Sequence, residues 1–142
     1  MFLVRNSTSL LHLHYFRMDY RDLIGTKFKV HGRSKEEGFD CYGLAIEVLR
    51  RNGITLKDAF YKDLDNRESV HDELHSIIQH QRIDKPENCC IIELSVGGEP
   101  LHVGVYIGNG MMIHTTHSTR VVIEPLARYK KKILGYYRVC TD

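Results

Sequence analysis

HVGVYIGNGMMIHTTH, residues 102–117, reads as a β-hairpin whose loop length decides where two histidines lie. Val103, Val105 and Ile107 alternate with His102, Gly104 and Tyr106, so one face of the first strand is apolar and His102 is on the other. A two-residue turn at Asn109-Gly110 pairs Val105 with His114 and sends the two histidines to opposite faces. A three-residue loop, Gly108-Asn109-Gly110, pairs Gly104 with His114 instead. His102 and His114 then become diagonal neighbours on one face, and Gly104, without a side chain, leaves room beside them. Gly110 suits the left-handed position of such a loop. The sequence leaves both registers open; a functional reading of the pair requires the second.

Outward from this hairpin, period-two alternation predicts strands at 90–94, 101–107, 111–116, 120–124 and 132–139. Gly97-Gly98, Asn109-Gly110, His117-Ser118 and Pro125 mark the turns between them. The first half has a different period. Cys41, Leu44, Ala45, Val48 and Leu49 follow the spacing of a helix with one buried face. Asp40 stands at its N-cap and Asn52-Gly53 at its stop. A further helix is predicted over 67–80, with Val70, Leu74, Ile77 and Ile78 as its stripe, and Asp19 after Met18 is a good N-cap. Helices first and a strand meander after them predict an α+β fold, the helices packed on one face of an antiparallel sheet.

The chain has 142 residues, one domain's worth, and residues 18–142 are read as that domain. Residues 1–17 are read as an N-terminal extension, either upstream of the true start or without structure. Arg5, Asn6, Ser7, His12 and His14 interrupt the apolar patches of this segment, so it is no clean secretory leader. With no apolar run of about 18 residues to span a bilayer, cytoplasmic synthesis is expected, and no membrane partner. Twenty Lys and Arg against eighteen Asp and Glu leave a net charge of +2, too weak and scattered for a nucleic-acid protein. Four cysteines without a C-x-x-C pair suggest neither a disulfide framework nor a zinc knuckle. Cys89 and Cys90, on a strand, would point to opposite faces.

Cys41 opens the predicted helix, where the dipole and the unpaired amides favour a thiolate and can receive an oxyanion. The bland alternative is a small buried hydrophobe. His71 and His75 lie one helical turn apart, a zinc-capable spacing, but Asp72 stands where a zincin needs Glu, and a solvated helix face is the better reading. No metal is assigned. Arg128-Tyr129-Lys130-Lys131-Lys132 reads as a charged turn before the last strand, with some attraction for anionic polymers.

Taken together, DLIGT (22–26), GFDCYGL (38–44), HVGVYIGNGMMIH (102–114) and ILGYYRV (133–139) resemble the NlpC-type cell-wall peptidases, papain-like cysteine peptidases that cut peptidoglycan stem peptides. The resemblance covers roughly residues 20–140. It implies a papain-like fold, Cys41 as nucleophile, His102 as general base and His114 as the orienting residue of a Cys-His-His triad working through a thioester, with no cofactor. It also implies that Asp40, Tyr42 and Phe28 help hold the substrate. Phe28 and Tyr42 replace the tyrosine and serine common in the family. The Asp-Cys-Tyr-Gly-Leu form looks like the versions in phage tail-tip proteins. The alternative function is therefore a structural or assembly module of a phage tail, with tail proteins as partners, virion association and an altered or idle site.

Overall fold

The computed structural model describes residues 18–59, 81–97 and 102–139. The predicted extension at 1–17 and the predicted helix at 67–80, with His71 and His75, lie outside the described residues.

Helix α1, Cys41–Arg51, forms where the periodicity predicts. Asp40 is extended, and its Oδ1 accepts a hydrogen bond from Gly43 N at 2.7 Å, satisfying one of the amides that a helix start leaves unpaired. Leu44, Ala45, Val48 and Leu49 are buried along one stripe. Arg50 and Arg51 occupy the last turn, where the dipole favours cations, and both pair with Glu47. The helix ends at Asn52, and Gly53 follows in the left-handed region at φ 77°. Gly43 has a steric role: a Cβ there would stand 2.1 Å from Gly32 O. The chain ahead of the helix thus lies directly against its first turn, carrying the short antiparallel pair β1 (Arg33–Ser34) and β2 (Gly38–Phe39).

Asp19 starts no helix. Its carboxylate accepts from Arg21 N at 2.9 Å, and the chain makes successive turns, with Leu23 N bonded to Tyr20 O and Thr26 N to Leu23 O. The aspartate's own side chain offers the backbone a turn in place of a helix.

The remaining strands are β3 (Gln81–Ile83), β4 (Ile91–Leu94), β5 (His102–Tyr106), β6 (Met111–Thr116), β7 (Thr119–Pro125) and β8 (Ile133–Arg138). Among the described residues they form one antiparallel sheet in the order β3-β8-β4-β5-β6-β7. β4 to β7 are the predicted meander. The last strand departs from it: β8 crosses back to pair with β4 on the far side from β5.

Both faces of this sheet are covered. Val103, Val105, Ile113 and Val121 share a core with Leu44, Ala45 and Val48 of α1. On the opposite face, Cys90, Ile92, Leu94 and Met112 pack with Leu126 and Tyr129. These last two belong to a 3-10 segment, Leu126–Lys132, which replaces the charged turn read from the sequence. Cys89, in the left-handed region at φ 70°, borders the first core, while Cys90 lies in the second. The two thiols do face opposite ways.

Candidate active site

The β5–β6 connection fixes the register. Val105 pairs with Ile113 and Tyr106 with Met112. Ile107 N donates to Met111 O at 3.0 Å, closing a loop of Gly108, Asn109 and Gly110. All three loop residues have positive φ, at 92°, 54° and 75°. Glycine reaches this region without strain and asparagine tolerates it, so the loop can hold three residues. Tyr106 Oη accepts from Gly110 N at 2.9 Å and ties the loop to its strand. The three-residue register is the one formed.

That register brings His102 and His114 together. His102 Nε2 and His114 Nδ1 are 2.8 Å apart, with the rings edge to face at 5.1 Å. Both side chains are 1% exposed. Gly104 lies between them on the same face, and a Cβ there would stand 3.2 Å from His114 Cβ and 2.6 Å from Met112 Sδ. The space left by Gly104 is filled by Met112. The other His102 nitrogen, Nδ1, is buried with no hydrogen-bond partner among the described residues.

A carboxylate behind His114 escaped the sequence reading. His114 Nε2 lies 2.7 Å from Glu124 Oε2. Tyr129 Oη donates to the same oxygen at 2.6 Å, and Arg128 Nη1 donates to Oε1 at 2.8 Å. Glu124 reaches this position because β7 is bulged. Thr116 pairs with Thr119 but His114 pairs with Val122, so Thr115 alone stands opposite Arg120 and Val121. The extra residue puts Glu124 opposite Met112, on the histidine face and diagonal to His114. The bulged Val121 is held from outside the sheet, exchanging backbone hydrogen bonds with Gly25 and Thr26 at 2.9 and 3.0 Å.

The electrostatics follow from burial and these bonds. Burial, then the neighbouring His114, holds the His102 pKa far below that of a free imidazole. Burial also lowers that of His114, although Glu124 opposes it. Burial pushes the Glu124 carboxyl up, but bonds from Tyr129, His114 and Arg128 outweigh it and hold it at about 2. Near neutrality both rings are therefore neutral and Glu124 is charged.

These shifts predict acid lability. Below about pH 6.5 the unfolded chain's imidazoles take up protons, while His102 and His114 in the folded state do so only at lower pH. The unfolded state then binds more protons, so stability is full above pH 6.5 and falls as the pH drops through it. Glu124 acts with the same sign at lower pH, because its folded pKa is depressed to about 2. Thermal unfolding should give a Tm that declines between pH 6.5 and 5, with a shallower slope in His114→Asn. A Tm flat across this window would contradict the buried neutral pair.

Cys41 heads α1 and is 7% exposed. It packs in the core that contains Val103 and Ile113, the chain neighbours of His102 and His114. Both Asp40 oxygens are engaged: Oδ1 by Gly43 N and Arg33 Nη1, Oδ2 by His31 N at 2.9 Å. Tyr42 is 0% exposed and its hydroxyl donates to Lys57 O, so its side chain is part of the core. Phe28 is half-buried, its ring 4.2 Å from that of His117.

A helix packed against an antiparallel sheet agrees with the comparisons to known proteins. The NlpC/P60 family profile matches residues 25–138. The chain belongs to the NlpC/P60 family. This is a family of cysteine peptidases. Among relatives, it is 31% identical to a gamma-DL-glutamyl hydrolase of Bacillus subtilis over 86% of this chain and 29% of that protein. It is 24% identical to the murein DD-endopeptidase and LD-carboxypeptidase MepS of Escherichia coli over 75% of this chain and 51% of that protein. The chain thus spans about half or less of these relatives. An NlpC/P60 family protein from Bacillus cereus superposes with a TM-score of 0.57 over 88% of this chain and 41% of its own, at 24% identity, a likeness of fold. Among the described residues, no helix is long and apolar enough to cross a membrane.

Proposed function

We propose that this NlpC/P60 domain is a cysteine endopeptidase acting on peptide bonds of bacterial peptidoglycan stem peptides. The observation that carries the reading is the buried His102–His114 pair, which leaves one His102 nitrogen, Nδ1, unengaged among the described residues. A base needs a lone pair directed at the proton it removes, and an orienting partner on its other nitrogen.

In this mechanism His102 Nδ1 takes the Cys41 thiol proton as the sulfur attacks the substrate carbonyl carbon. Amide N–H groups at the start of α1 stabilise the resulting oxyanion. The C–N bond then breaks, the amine leaves with the proton from His102, and a thioester remains. Water, deprotonated by His102, hydrolyses the thioester and returns the free thiol. His114 holds the His102 ring throughout. Every group required comes from the chain, so no cofactor enters a step.

The substrate class rests on family membership and on the murein endopeptidase among the relatives. The gamma-DL-glutamyl hydrolase points to a second polymer, with γ-glutamyl linkages. A fully hydrogen-bonded relay behind the base favours a working hydrolase over an idle tail module. The test is digestion of purified peptidoglycan and of poly-γ-glutamate, with products identified by mass spectrometry. New amino termini within stem peptides are expected. Cleavage of poly-γ-glutamate alone would transfer the activity to that polymer, and cleavage of neither would overturn the hydrolase reading.

A further inference from the structure

Glu124 has no part in the triad just described, yet among the described residues it is a heavily hydrogen-bonded carboxylate on the histidine face. Three donors from two elements meet it: His114 Nε2 from β6, and Tyr129 Oη and Arg128 Nη1 from the 3-10 segment. Its side chain is 17% exposed and that of His114 is 1% exposed, so the contact is shielded from water. The Tyr129 ring also stands edge-on to the His114 ring at 5.2 Å, fixing it from a second direction. Glu124 does not touch the reacting atoms. What it touches determines which nitrogens carry protons.

We propose that Glu124 is the positioning residue that sets the tautomers of both histidines and thereby presents the His102 Nδ1 lone pair to the thiol. The inference rests on the hydrolase reading for its consequence, and on the hydrogen-bond geometry with a charged Glu124 and neutral rings for the tautomers. An ionised carboxylate is an acceptor only, so His114 Nε2 must carry the hydrogen. Neutral His114 then has its lone pair on Nδ1. The 2.8 Å contact needs a donor, so His102 Nε2 carries its hydrogen. Neutral His102 is left with its lone pair on Nδ1, the buried nitrogen without a partner among the described residues. When His102 becomes an imidazolium, the same line of bonds sets a negative charge behind the positive one. Tyr129 and Arg128 hold that carboxylate in place.

Glu124→Gln keeps the size and removes the charge. Its amide can donate to His114 Nε2, which reverses the line and leaves a hydrogen on His102 Nδ1. The expected result is a fall in kcat on the order of 10–100-fold, the range seen when carboxylates behind metal-bound histidines are removed. KM should be nearly unchanged, and the acid limb of the rate profile should move. Tyr129→Phe, which retains the Glu124–His114 bond, should show a smaller loss of the same kind. A Glu124→Gln protein with wild-type kcat and pH profile would overturn the proposal.

A second measurement needs no variant and no substrate. The histidine ¹⁵N shifts of the wild-type protein should report the Nε2–H form for both His102 and His114. An Nδ1–H form at His102 would overturn the assignment even if the protein hydrolyses peptidoglycan. Conversely, the expected tautomers in a protein that cleaves nothing would defeat the hydrolase reading and leave the tautomer assignment standing.

Discussion

Cys41→Ala should abolish hydrolysis while leaving the protein folded. The sulfur is the atom that forms the thioester, and nothing else at the start of α1 can replace it. Losses for nucleophile removal in such units are on the order of 10⁴-fold or more, with oxyanion stabilisation and binding supplying what remains. The fold has little reason to respond. Alanine is the best helix former, the Asp40 cap holds Gly43 N whatever stands at residue 41, and the change deletes a single side-chain atom. The paired measurement is the rate of product release together with Tm; equal rates in wild type and variant would remove the cysteine mechanism. Thiol labelling gives an independent check. Burial raises the Cys89 thiol and pushes Cys90 up to about 11, so neither is a ready nucleophile at neutral pH. Iodoacetamide should modify Cys41 ahead of both, and substrate should slow that reaction.

The parts of this site legible in the sequence are those governed by a local period. Five apolar positions and an N-cap located α1, and alternation placed β5 and β6. The loop register was undecidable from period alone, since one residue more or less inverts a face. Three successive residues that accept positive φ carried the answer. Glu124 was hidden for a related reason. Continuing the Thr116–Thr119 pairing without interruption would turn Glu124 away from His114; the bulge at Arg120-Val121 reverses that parity. The bulge is held by Gly25 and Thr26, nearly a hundred residues earlier in the chain, so no local pattern announces it. Tyr42 has a substrate role by resemblance alone; helix geometry sends neighbouring side chains about 100° apart, and this one turns into the core. Asp40 was readable as a cap; that Arg33 also occupies it depends on the β1–β2 pair folding against the helix start.

His102→Ala should lower activity near pH 7 by about 10²–10⁴-fold, the usual contribution of a positioned general base. What distinguishes this loss from simple damage is its pH dependence. In the wild type the thiol proton passes to His102, whose pKa burial holds well below that of free imidazole. The base therefore stays unprotonated into mildly acid solution, and the acid limb of kcat/KM should lie below pH 6.5. Without the ring, attack must wait for the thiolate that Cys41 forms unaided. Residual activity should then climb steadily with pH as the thiolate fraction grows, with no plateau at neutrality. Stability responds to two opposed effects. Removing the ring removes a buried nitrogen without a partner among the described residues, which favours the fold. It also opens a cavity and leaves His114 Nδ1 without its 2.8 Å contact, and unmet buried polar groups cost about 1–3 kcal/mol. The cavity adds to the second effect, so a net fall in Tm is expected. Activity must therefore be compared below the variant's own Tm. Under those conditions, a variant matching the wild-type rate and pH profile would show that His102 is not the base, whatever its place beside His114.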